Sequence, residues 1–398
     1  MKKNRWIIII ALGMASGLTF LLPFYFKYLF VEFQDKYLIS SDNFEQIYIA
    51  YGLVALVSYI PSGFLAERYS PKKLIPLSLI ISGVAGLFTT FNLTFLQLTA
   101  VFMVFAVSNI LLFWVSSIKF ILSLGNKFES GRILGVFEGG KGISGVIFTL
   151  LYFFFIVPER VGINFIILVY SILNILIGIY LGWWLMNIEI KRSTPLKVKK
   201  IIRSKKVWAI GGLIFLNYIL YSNMVYTNNY LYDLYRFSRV EVVFFACVRI
   251  YFFKMIVGPL SGYFVDKLGS ALKLFILTFF IYIFTSIIYI STPSNLELIL
   301  FIMLNTLVIA ILSTVFNTIF FALIPEFDLP INSKIIGVVS AIGFLPDLFY
   351  PIIGKNLINT YGNMAYKYFF LLNITAAIVG LGVSIYSYRY REKGSVVV

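Results

Sequence analysis

The chain has 398 residues, 60% of them hydrophobic and only 13% charged, with a mean hydropathy of +0.92 and no histidine. A soluble domain is about 45–50% apolar and about 25% charged, so this composition belongs to a chain solvated mostly by lipid. The net charge of +16 is gathered in short clusters between long apolar runs; that pattern reports membrane orientation and argues against nucleic acid as a partner. With no histidine and one cysteine, Cys247, a His/Cys zinc site, a Ser-His or Cys-His catalytic group and an internal disulfide are excluded, and no cofactor is expected.

A membrane-crossing helix needs roughly 20 apolar residues. That ruler predicts twelve spans. Spans 1 to 6 cover 6–30, 44–66, 74–91, 96–122, 132–157 and 161–187. Spans 7 to 12 cover 207–231, 240–265, 271–290, 296–323, 335–353 and 363–388. The apolar run after Arg5 is too long for a cleaved signal core of about 7–15 residues, so it reads as a retained first helix. The fold class predicted is therefore all-α integral membrane. Its domains are an N-terminal six-helix half, 1–187, a basic linker, 188–206, and a C-terminal six-helix half, 207–398. The linker carries Lys191, Arg192, Lys197, Lys199, Lys200, Arg203, Lys205 and Lys206 against Glu189. With both termini cytoplasmic, most of the basic residues fall on the cytoplasmic side.

The halves repeat. Span 2 ends in Gly63-x-Leu65-Ala66-Glu67-Arg68, and span 8 ends in Gly262-x-x-x-Asp266-Lys267. Span 5 begins Arg132-Ile-Leu-Gly135, and span 11 begins Lys334-Ile-Ile-Gly337. Both pairs are offset by roughly 200 residues. Internal repeats of this size mark secondary transporters, with substrate held between the halves.

On these residues the chain resembles the major facilitator superfamily. Gly63 to Arg68 is similar to that family's loop signature between spans 2 and 3, with Glu67 in place of the usual Asp and Ser70-Pro71 in place of a glycine. The family's Gly-Pro-rich exporter motif is missing from span 5, and span 4 lacks its internal arginine between Val101 and Ser116. Phe113-Trp114, Ile118-Lys119, Gly131-Arg132 and Glu138-Gly-Gly-Lys141-Gly look similar to bacterial permeases near the sugar-phosphate and organic-anion transporters. The resemblance implies alternating access, with Gly63, Glu67, Arg68, Gly262, Asp266 and Lys267 as a gating motif. It also implies that spans 5 and 8 are neighbours. For Glu67 and Arg68, a role in orientation alone is the competing reading.

A charge in the membrane core costs several kcal/mol, so each deep ionisable residue is a functional candidate. At about 1.5 Å per residue, Glu138 and Lys141 lie roughly 9 and 13 Å beyond Arg132. Lys254 and Arg249 lie roughly 18 and 25 Å from Asp266, and Asp347 roughly 20 Å from Lys334. Three cations against two acids read as an anion site, with Arg249 able to grip a carboxylate or phosphate bidentately. The competing reading of Glu138 and Lys141 is a structural i,i+3 ion pair. Glu138 and Asp347 are the proton-coupling candidates. Asn217, Tyr221 and Asn228 form one polar stripe; Thr306, Ser313 and Asn317 form another. These serve either a hydroxyl-bearing solute or interhelical hydrogen bonds. Trp114 is placed to stack on a sugar ring. Lys27 and Lys119, near span ends, are read as snorkelling to the interface.

The expected function is secondary transport of a small organic anion, such as a sugar acid, organophosphate or carboxylate, by proton-coupled symport. The alternative is an exporter of amphipathic drugs or lipid-like compounds, favoured by the 41 Phe and 27 Tyr. A membrane enzyme or receptor is the remaining class, and few catalytic constellations are left to support it. The partners expected are the anionic substrate, protons and lipid, with a monomer in the bacterial cytoplasmic (inner) membrane.

Overall fold

Turn residues and helix caps cut the chain into long rods. The computed structural model describes residues 5–126, 128–188, 196–293 and 296–394; Glu189, Lys191 and Arg192 of the basic linker lie outside them. The rods are α1 (Arg5–Tyr28), α2 (Ser41–Arg68), α3 (Pro71–Phe88), α4 (95–123), α5 (130–156) and α6 (Asn164–Trp184). They continue as α7 (Lys205–Tyr235), α8 (239–268), α9 (Ala271–Ser291), α10 (Ile299–Ile319), α11 (333–361) and α12 (Ala365–Gly394). The described residues contain no β-strand. Lipid leaves no other choice for an open chain, because every backbone group must find its partner within its own segment.

Local chemistry sets the ends. Thr94 with Gln97 and Ser238 with Glu241 form capping boxes at the starts of α4 and α8. Asn332 accepts the Lys334 backbone N–H (2.9 Å) at the start of α11. Gly269, in the left-handed region at φ 65°, ends α8, a conformation that costs glycine nothing.

Among the described residues, ten stretches are long and apolar enough to cross a membrane. The difference from the twelve expected has two physical sources. The tenth stretch, Ser333–Arg391, is 59 residues long. As one helix it would reach about 88 Å, nearly three hydrocarbon cores; the chain instead turns at Gly362 (φ 51°), separating α11 from α12. Rod α8 has spanning length, but Arg239, Glu241, Arg249, Lys254, Asp266 and Lys267 lower its hydropathy. Two boundaries also differ. Span 11 was expected to stop near 353 but runs on to Tyr361, and it is two helices, Ser333–Gly343 and Pro346–Tyr361. Pro346 lacks the N–H that would continue the ladder, and the rod breaks just before it.

The packing partners recur. Rods α1 and α5, α3 and α6, and α2 and α4 pack together, as do α7 and α11, α9 and α12, and α8 and α10. The two sets are joined by α5 against α8 and by α2 against α11. Each of these pairs maps onto another when six rods are added. Lipid tails are as apolar as leucine, so helices here associate by close packing of small residues. The α5–α8 contact is the clearest case. A Cβ on Gly135 would lie 2.6 Å from the Gly258 carbonyl oxygen, and one on Gly262 would lie 2.2 Å from that of Gly131.

Both obstacles are backbone atoms, which cannot swing aside. Gly262→Ala is therefore expected to lower the midpoint of thermal unfolding in detergent by several degrees, from overpacking of about 1–3 kcal/mol. Gly212→Ala, with nothing within 4 Å of the new Cβ, leaves it unchanged or slightly raised. Equal midpoints for the two variants would refute the close-packed contact.

Candidate functional site

A cavity of about 170 Å³ lies between the two sets of rods. Its wall comes from α1, α2, α4 and α5 on one side and α7, α8, α10 and α11 on the other. Rods α3, α6, α9 and α12 contribute nothing to it.

Four acidic or basic side chains line it: Glu138, Lys141, Lys254 and Asp347. Glu138 is buried and shared. Lys141 Nζ bonds its Oε1, and Lys254 Nζ, reaching across from α8, lies 3.4 Å from its Oε2. The Lys141 ammonium also sits 4.9 Å from the Trp114 ring centre and 4.7 Å from that of Phe137. Desolvation makes each charge expensive alone, and the group holds together because opposite charge and π faces replace the lost water. The wall formed by α5 and α8 thus carries two cations for one carboxylate. On the other side, Asp347 accepts a hydrogen bond from the Tyr218 hydroxyl (2.9 Å). It lies in the first turn of Pro346–Tyr361, where the helix dipole favours a negative charge. The broken rod therefore places an acid at a helix start in mid-span.

Of the sequence-predicted residues, Lys141, Lys254, Glu138, Asp347, Tyr221, Asn317 and Trp114 meet around this cavity. Arg249 and Asn217 do not line it. Arg249 is 1% exposed, donates to the Asn228 amide oxygen and lies 5.4 Å from the Phe245 ring. Arg249 lies within the wide turn Val248–Phe252 of α8, and Lys254, just beyond that turn, is the one of the two that lines the cavity. The third cation of the anion-site reading is thus absent from the wall. Asn217 is 1% exposed, and neither atom of its amide has a hydrogen-bond partner among the described residues. The polar stripes are divided. Thr306 pairs with Tyr289 and Ser313 with Tyr282, both between helices, while Tyr221 and Asn317 face the cavity.

Lys119 is a correction. It does not snorkel: it is 7% exposed and donates to the Ala66 carbonyl (2.7 Å), one of the carbonyls left open at the end of α2. Lys27 holds its ammonium 4.6 Å from the Tyr48 ring and 5.3 Å from that of Phe24. Sequence reasoning missed Tyr51, Tyr59, Tyr218, Tyr251 and Phe344, all on the wall. In a chain that is 18% aromatic, no local signal separates a lining ring from a packing ring. Tyr51 has one support of its own, the Asn109 amide, 3.5 Å away on the wide turn Val107–Trp114 of α4.

The repeated sequence motifs meet at the end of the bundle where Arg5, Lys72, Lys206 and Arg391 gather. Glu67 of α2 forms an ion pair with Lys334 of α11. Asp266 of α8 pairs with Arg132 of α5 (2.8 Å) and accepts the backbone N–H groups of Gly131 (2.9 Å) and Arg132 (3.0 Å). Each pair joins the N-terminal rods to the C-terminal rods. Gly63 allows the approach, since a Cβ there would lie 2.8 Å from the Ser333 carbonyl oxygen. The Arg68 and Lys267 side chains are exposed. Nearer the cavity, Trp114 crosses the same boundary, donating to the Ser340 hydroxyl (3.2 Å) and packing on Phe321 and Phe344. At that end Arg5 makes two hydrogen bonds to Glu129 (2.7 and 3.1 Å), which hold the Glu129 carboxyl below the usual range. At the opposite end Lys355 of α11 reaches Asp42 (2.7 Å) and Glu45 (3.1 Å) at the start of α2.

The Glu67–Lys334 pair is partly buried, worth about 1 kcal/mol, or roughly fivefold in an opening equilibrium. With Cys247 replaced by serine, a cysteine at position 340 is expected to react about fivefold faster with a thiol reagent in Lys334→Glu. The swap Glu67→Lys/Lys334→Glu returns the rate to that of the parent. No change in the single variant would show that the pair does not hold this end closed.

Comparison with known proteins places these features. The model of the Major Facilitator Superfamily matches residues 5–346. Inner membrane protein YqcE of Escherichia coli K12 is 28% identical over 393 residues, covering 94% of this chain and 92% of that protein. Inner membrane protein YihN of the same strain is 24% identical over 402 residues, covering 97% and 96%. An uncharacterized protein of Mycoplasma pneumoniae matches over 160 residues at 26% identity, 38% of this chain and 34% of that protein. The chain belongs to the Major Facilitator Superfamily, a transporter family, and is a multi-pass inner membrane protein.

Proposed function

We propose that the protein is a secondary active transporter of a small organic anion (a sugar acid, organophosphate or carboxylate), working by alternating access and coupled to protons. One observation carries this reading: Lys141 and Lys254 share a single carboxylate on the cavity wall. That wall keeps one positive charge in excess. An anion of the solute completes it, as a second carboxylate would.

Proton coupling follows from the same group. An arriving anion draws the lysines away from Glu138, and a proton then neutralises the acid that has lost its partners. Binding of anion and proton thereby support each other. The two ion pairs and the Trp114 bridge at one end, and the Lys355 contacts at the other, are the groups that must part in turn as each side opens. Asn317 and Trp114 supply a hydrogen-bonding amide and a flat ring for the uncharged part of the solute.

The test is uptake into proteoliposomes across a panel of sugar acids, organophosphates and carboxylates, with and without a pH gradient. A transported anion is expected, and collapsing the gradient stops its accumulation. Lys254→Ala and Lys141→Ala each lower uptake at least about tenfold, the scale of one lost charge-assisted contact. Wild-type rates in both variants would overturn the anion site. Protection of cells from amphipathic drugs, with no anion moved, would favour export of lipid-like compounds instead.

A further inference from the structure

We propose that the solute carries an ammonium group besides its anionic group, and that Asp347 with its surrounding tyrosines holds that ammonium. The proposal rests on the reading of the lysine wall as an anion site, and extends it to the other side of the cavity.

The argument starts from charge. The lining residues comprise two lysines and two carboxylates. Glu138 is committed to the lysines, whereas Asp347 stands apart from them on α11. The cavity is therefore polar across its width, positive at α5 and α8 and negative at α11. A solute with an anion alone leaves Asp347 without an ion-pair partner on the cavity wall. A solute with both charges satisfies both walls.

The surroundings of Asp347 fit an ammonium. It is solvent-exposed where it lines the cavity. Its Oδ2 takes the Tyr218 hydroxyl at 2.9 Å, which leaves Oδ1 for a ligand. Tyr59, Phe344, Tyr218 and Tyr221 form a continuous row of rings along the wall, at centre-to-centre distances of 5.3, 4.9 and 5.5 Å. Tyr51, Tyr59, Tyr218 and Tyr221 line the cavity together with Asp347. A carboxylate that shares its wall with aromatic rings suits a cation, because the π quadrupole and the formal charge attract in the same sense. Hydroxyl groups would also donate to Oδ1, but ring faces give them no comparable electrostatic attraction. The other cation in range of Asp347, Lys27, holds its ammonium over the Tyr48 and Phe24 rings. With an ammonium at Asp347, the transported proton is left to Glu138.

The test uses the full-length protein in nanodiscs and calorimetry on matched probes. One set is γ-aminobutyrate, γ-hydroxybutyrate and butyrate. The other is ethanolamine phosphate, 2-hydroxyethyl phosphate and ethyl phosphate. In at least one set the amino member is expected to bind about tenfold or more tighter than its two analogues. Asp347→Asn, which keeps an acceptor for Tyr218, removes the difference, and Asp347→Glu retains it. Lys254→Ala weakens all members of a set alike. Acids that bind with no amino preference, or a preference that survives Asp347→Asn, would overturn the ammonium site and leave the anion site standing. Failure of every probe to bind would overturn both.

Discussion

The close approach of α5 to α8 is the contact on which the rest of the site depends. It is a backbone-to-backbone contact, built where glycine stands at Gly131, Gly135, Gly258 and Gly262. Side chains of ordinary size would hold the two helices apart at the usual 8–10 Å axis separation. With glycine at the contact, Lys254 of α8 comes within ion-pair distance of Glu138 on α5. The same approach brings Asp266 onto the first backbone N–H groups of α5. One seam of small residues thus fixes both the charged wall of the cavity and one of the two ion pairs that close its end. In lipid this is the available means of association, since burying apolar surface gains little against a solvent that is itself apolar.

The charged wall is in turn constrained by the cost of isolation. Two lysines and one glutamate in mid-membrane hold a net charge that two ion-pair contacts and two ring faces only partly offset. Trp114 takes part in the solution from a different rod, lending its ring to Lys141 and its N–H to Ser340. It connects the cavity to the boundary with α11. The cavity wall and that boundary are joined through this single side chain.

Much of the candidate site was legible in the sequence, for one reason: charge in an apolar run is conspicuous. Glu138, Lys141, Lys254 and Asp347 were each visible because a lipid-facing segment cannot carry them idly. The repeat was legible because Glu67 and Asp266, and Lys334 and Arg132, stand at matching offsets. Direction was harder to read. Arg249 is as conspicuous as Lys254 but turns into the bundle of the C-terminal rods and bonds Asn228. Lys119 looked like a residue reaching for the interface and instead caps α2. Asn217, Tyr221 and Asn228 share a stripe, yet only Tyr221 lines the cavity. The other tyrosines around Asp347, namely Tyr51, Tyr59 and Tyr218, were illegible, since each resembles the many others in the chain.

The sequence by itself determined an all-helical membrane chain, its division into apolar rods, its internal repeat and the deep charges, because lipid penalises polar groups wherever they occur along the chain. Only the tertiary structure decided which of those charges meet. Glu138 could have cancelled Lys141 alone; the position of α8 gave it a second lysine. Asp347 could have been a neutralising partner of any cation nearby; the break at Pro346 turned it toward Tyr218 and the cavity. Whether a helical residue faces the cavity, a neighbour or lipid depends on the rotation of each rod about its axis. That rotation is set by packing against helices hundreds of residues away, which spacing along one helix does not encode.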